Sequence, residues 1–89
     1  MKRPDFVAVW TNENEYYRVG VDRKTGDKVI EIVITSIGWY SVFFKLTQEE
    51  FSWYQTNVDN LNDLARQFAA DQGREFFADR LIFTEKPGL

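Results

Sequence analysis

Acid–base, nucleophilic and metal chemistry near neutral pH leans on imidazole and thiolate groups, and this chain of 89 residues has no histidine and no cysteine. A Ser-His-Asp arrangement, a thiolate nucleophile and a disulfide framework are therefore excluded. Carboxylates remain, but their spacing fits structural work. Glu49-Glu50 reads as first-turn helix charge, and Asp59 with Asp63 is an i, i+4 pair on a solvated helix face. Lys24-Thr25-Gly26 matches a short motif of penicillin-recognising enzymes, yet no Ser-x-x-Lys accompanies it. The glycines sit singly, with no phosphate-loop or dinucleotide pattern, and the acidic residues do not form an EF-hand loop. The expectation is a protein that is not an enzyme, with no cofactor and no metal.

Charge narrows the partners. A net charge of −3 and an isoelectric point near 4.8 oppose general binding to phosphate backbones. "SVFFKL" at 41–46 superficially resembles a base-stacking strand but lacks the basic and glycine positions of the RRM pattern, so nucleic acid is not expected. Acidic residues concentrate in two segments. Asp5, Glu13 and Glu15 lie between Arg3 and Arg18 without a basic residue, and Glu49, Glu50, Asp59 and Asp63 lie between Lys45 and Arg66. They read either as solvated surface and helix N-terminal charge or as a docking surface for a basic partner.

The elements that must position these groups follow from periodicity. Alternation in 6–10, 16–22, 29–37 and 40–46 predicts four strands of an antiparallel meander, with turn chemistry in "TNENE" and "KTGD". "TQEE" at 47–50 is a capping box and predicts a short helix. Leu61, Leu64, Ala65, Phe68 and Ala69 recur at helical spacing and predict a longer one from about 58 to 72, stopped by Gly73. "EFFADRLIFTE" reads as a fifth strand of unspecified position, with Pro87 and Gly88 ending the ordered chain. The fold class is α+β with two layers: an antiparallel sheet of about five strands in ββββααβ order, one face covered by both helices. Residues 1–89 form one domain whose termini, 1–4 and 86–89, are expected to fray. No apolar run approaches the roughly 18 residues of a membrane span, no signal-type apolar region follows the basic start, and a cytosolic location is expected.

Side-chain parity assigns the many aromatic rings. With a loop at 37–39, Ile34 faces Val42, Ile32 faces Phe44 and Ile30 faces Leu46; the other face pairs Thr35 with Ser41, Val33 with Phe43 and Glu31 with Lys45. A loop at Thr25-Gly26 sets Val21 against Ile30 and Val19 against Ile32, and a loop at 11–15 sets Val9 beside Tyr17 and Val7 beside Val19. Tyr40, Phe44, Phe51, Tyr54 and Phe68 then belong to the core. Trp10, Tyr16, Phe43 and Phe6 fall on the outer face with Arg18, Glu31 and Lys45, while Trp39 and Trp53 fit either side. That outer row is either a contact surface or is buried by a register slip, the fifth strand or the tail.

In size, acidity, strands followed by the capped "LTQEEF" helix and lack of catalytic groups, the chain resembles the small single-domain immunity proteins of bacterial toxin systems. The resemblance implies tight binding to a cognate toxin, by plugging its active site or preventing substrate access. Against a basic nuclease cleft, Glu13, Glu15, Glu49, Glu50, Asp59 and Asp63 compete for phosphate-binding charge, and Trp10, Tyr16, Phe43 and Trp53 supply anchors. The alternative is a structural or regulatory homodimer formed through the outer sheet face or an exposed strand edge.

Overall fold

The computed structural model describes residues 2–35 and 38–85. Five strands, β1 (Phe6–Asn12), β2 (Tyr17–Asp22), β3 (Lys28–Ile34), β4 (Tyr40–Lys45) and β5 (Leu81–Thr84), form one antiparallel sheet in the order β1-β2-β3-β4-β5. Between β4 and β5 the chain forms α1 (Gln48–Thr56), α2 (Val58–Ala69) and a single-turn α3 (Gly73–Phe76). This is the expected two-layer α+β fold, with the fifth strand placed beside β4.

The inner sheet face carries Tyr17, Val19, Ile30, Ile32, Val42 and Phe44, and α2 covers it with Leu61, Leu64, Ala65 and Phe68. Phe68 stacks on Phe44 at 4.3 Å and meets Phe77 edge-on at 4.6 Å, which continues the core under α3. Tyr40, Phe51 and Tyr54 pack against this cluster partly buried. α1 starts on the expected capping box: the Thr47 hydroxyl accepts from the Glu50 backbone N–H at 3.1 Å, and the Glu50 carboxylate accepts from the Thr47 backbone N–H at 2.9 Å.

Three expectations need correction. The predicted pairings are displaced by two residues: Ile30 faces Phe44 and Ile32 faces Val42 in β3–β4, and Val19 faces Ile30 in β2–β3. The β2–β3 connection is the cause in one case, because Asp22 donates its backbone N–H to the Asp27 carbonyl and accepts from Gly26 around a five-residue loop, 23–27, with Gly26 at φ 79°. A shift of two preserves side-chain parity, so the faces survive the error. The expected tight loop at 37–39 includes Ile37, which lies outside the described residues.

In β1 parity itself fails. Val7 faces Val21 rather than Val19, and a bulge between Ala8 and Trp10 turns Trp10 onto the inner face opposite Val19. Its ring packs against Tyr17 and Tyr54, at 5.9 and 6.2 Å, instead of joining the outer row.

Third, "EFFADRLIFTE" is strand only at its end, since Gly73–Phe76 is helical and turns follow to Arg80. α2 has already ended at Ala69, and Gly73 serves a different purpose from a helix stop. A Cβ there would overlap the backbone carbonyl oxygens of Phe68 and Gln67, so glycine lets α3 begin hard against the end of α2.

Candidate protein-binding surface

The outer sheet face divides into a covered and an open part. Phe43, expected as a surface anchor, is only 1% exposed. Phe6 meets it edge-on at 5.7 Å, Phe83 of β5 lies at 6.3 Å, and the Arg3 guanidinium sits 5.2 Å above its ring. The segment before β1 crosses the sheet to reach this place: Pro4 is buried, Asp5 pairs with Arg23, and Arg3 pairs with Glu85 beyond β5. Arg3 and Pro4, expected to fray, make these contacts, while Met1 and 86–89 lie outside the described residues. Next to this strap, Glu31 is buried; its carboxylate holds Arg18 across the strand pair and accepts the Ser41 hydroxyl at 2.7 Å. An outer-face homodimer therefore has no Phe43 ring to use.

The open part lies at the opposite end of the sheet, where β1 runs into β2 and β3 into β4. Tyr16 is 49% exposed and Trp39 65% exposed, and their rings meet edge-on at 5.9 Å. Tyr16 is the single non-glycine residue with a positive φ, 56°, among the described residues. The left-handed region costs an L-residue about 1–2 kcal/mol, and here the strain presents a half-exposed ring instead of burying one. With Thr11, Glu13, Arg18 and Val33 the two rings line a mainly apolar cleft of about 310 Å³.

α2 fixes this end from behind. Asn62 accepts from the Tyr17 hydroxyl at 2.6 Å and from the Asn12 amide at 3.0 Å, and the Asn12 side chain in turn accepts from the Glu15 backbone N–H at 3.2 Å. Burial pushes the Tyr17 hydroxyl above the ordinary tyrosine value, so it serves as a proton donor to Asn62 throughout the neutral range. Arg66 bonds both Glu15, at 2.9 Å, and Asp63, at 3.0 Å. One guanidinium shared by two carboxylates leaves this network negative.

The expected contact residues are thus split. Glu13, Glu15, Tyr16 and Asp63 come together around the cleft and Arg66. Asp59 is exposed one helical turn before Asp63 in α2. Glu49 and Glu50 stand at the far end of the sheet, beside Lys45, and Glu50 is consumed by the capping box and by an ion pair with Arg80. Burial works against the Glu50 charge, but the Thr47 backbone N–H and Arg80 outweigh it and hold the carboxyl below its ordinary value. Trp53 is partly buried against the core, as is Trp10. Trp39, which fitted either face by parity, is the most exposed of the three tryptophans. Its only sequence signal was the glycine before it, since Gly38 takes φ 68° in the loop that carries the ring outward.

Among the described residues no group of three metal-ligating side chains occurs, and no helix is long and apolar enough to cross a membrane. Compared with protein-family models, curated proteins and solved structures, the chain matches none significantly.

Proposed function

We propose that this chain is a non-catalytic protein-binding module of the inhibitor or bacterial immunity-protein type, which neutralises a cognate, basic, nuclease-like toxin in the cytosol. The observation that carries the reading is the Tyr16–Trp39 pair: two large rings held half-exposed or more, one of them on strained backbone, beside Glu13 and the acidic Glu15–Arg66–Asp63 network. Binding energy concentrates in a few rings that become buried on association, and surrounding charge of one sign speeds encounter with a partner of the other. The β1–β2 loop is braced by α2, so the Tyr16 ring is presented with little ordering cost left to meet on binding. Glu13, Glu15, Tyr16, Asp59 and Asp63 remain contact residues in this reading, Trp39 joins them, and Glu49 contributes long-range charge only.

The test is retention of a partner on the tagged protein from extract of its source cells, followed by salt titration. One stoichiometric protein released by salt supports the reading. Retention of nothing but untagged copies of the chain itself contradicts it and favours self-association.

A further inference from the structure

The cleft lined by the Tyr16–Trp39 pair carries a more specific reading, which rests on the protein-binding function just proposed. Among the described residues, Arg3, Arg18, Lys28, Arg74 and Arg80 each lie over a ring face, on Phe43, Phe6, Phe51, Tyr40 and Phe68 respectively, at 5.0–5.8 Å. Tyr16 and Trp39 carry no such cation among the described residues, although both rings are open to one.

The charge at the mouth is also unspent. Glu13 lines the cleft and makes no ion pair among the described residues. Arg18, the one cation in the lining among the described residues, is committed: its guanidinium bonds the buried Glu31 carboxylate and lies over Phe6. On the far side of Tyr16 a second depression is lined by Glu15 and Asp71, so carboxylates flank the ring on both sides. A volume of about 310 Å³ is at the lower end of the roughly 300–1,000 Å³ of ligand pockets, which suits one long side chain.

We propose that this cleft is the subsite for an arginine or lysine side chain projecting from the partner protein, with its stem against Val33 and the rings and its charged head at Glu13. Aromatic rings and a carboxylate in one lining together favour a cation over a neutral side chain of the same shape, and desolvation against the rings strengthens that preference. The preference for cations distinguishes this subsite from a plain apolar anchor.

The test uses nuclear magnetic resonance of the intact protein, titrated with a blocked Gly-Arg-Gly peptide, its lysine counterpart and the citrulline version, a neutral isostere of arginine. The arginine and lysine peptides are expected to move the Trp39 indole N–H resonance and the Glu13 and Tyr16 amides. The citrulline peptide is expected to bind about tenfold more weakly, and Glu13→Gln to weaken the arginine peptide several-fold while leaving the citrulline peptide unchanged. Equal binding of the citrulline and arginine peptides, or no movement of Trp39 with any peptide, overturns the cation subsite. Capture of a stoichiometric partner that depends on Trp39, when no peptide moves its resonance, overturns the subsite alone and leaves the protein-binding function standing.

Discussion

The aromatic side chains do three different jobs, and substitution separates them. Phe43→Ala removes a ring that is 1% exposed beneath Phe6, Phe83 and Arg3, and should lower stability by about 3–5 kcal/mol in urea unfolding. Trp39→Ala removes a ring that is 65% exposed and should leave stability within about 0.5 kcal/mol, while abolishing partner retention. Trp10→Ala should fall between them in stability, because its ring is half-buried against Tyr17 and Tyr54. At this scale the sequence was read well wherever alternation ran unbroken. It misplaced Trp10 because a bulge adds one residue without any mark in "FVAVWTN", where apolar residues continue on both sides of it. Parity placed Phe43 on the outer face but could not decide its burial, because its cover comes from Arg3, Phe6 and Phe83, distant in sequence and joined only by the fold.

Among the elements, the best-marked signals proved dependable. The Thr47–Glu50 box and the Leu61–Phe68 spacing are local, and local chemistry decided them. Thr47→Ala should cost about 1 kcal/mol by removing the hydroxyl that caps α1. The segment 73–84 was less legible because "REFF" and "RLIF" are similarly apolar, and what makes the first helical is the close approach of Gly73 to Phe68. Gly73→Ala tests that account. An alanine ordinarily favours a helix interior over glycine by up to about 1 kcal/mol. Here its Cβ overlaps backbone carbonyls, which cannot swing aside as a flexible side chain does, so a net loss of about 1–3 kcal/mol is expected in thermal or urea unfolding. A stability gain would show that α3 can move away from α2 without consequence.

For the molecule as a whole, the strap and the α1–β5 junction share an electrostatic dependence. The Arg3 guanidinium holds the Glu85 carboxyl below its ordinary value, the Lys24 backbone N–H does the same for Asp22 in the β2–β3 loop, and Glu50 is depressed as described. Unfolded, these groups return to ordinary carboxylate values of about 4, so near and below that pH the unfolded chain binds more protons than the folded one. Their contribution is fully present above the unfolded range and is lost as pH falls through the depressed folded values. Urea unfolding at stepped pH should therefore show declining stability below about pH 4, and Glu85→Gln should make that decline shallower. An unchanged slope would detach the Arg3–Glu85 pair from stability and leave the strap held by the Asp5–Arg23 pair, Pro4 and the rings.

Topology was legible at this scale because a meander needs only sequential pairing. The division of the outer face was not, since it depends on the segment before β1 reaching across to Glu85 beyond β5. The central claim is that the open end of that face, marked by Tyr16 and Trp39, is where a basic protein partner binds. It is tested most directly by comparing wild-type protein and Trp39→Ala as baits in the same source-cell extract, with unfolding curves of both recorded alongside. The account predicts one stoichiometric protein on the wild type, released by salt and missing from the variant, with the two unfolding curves superimposed. The same protein retained equally by a folded Trp39→Ala variant would contradict it and move the binding surface elsewhere on the molecule.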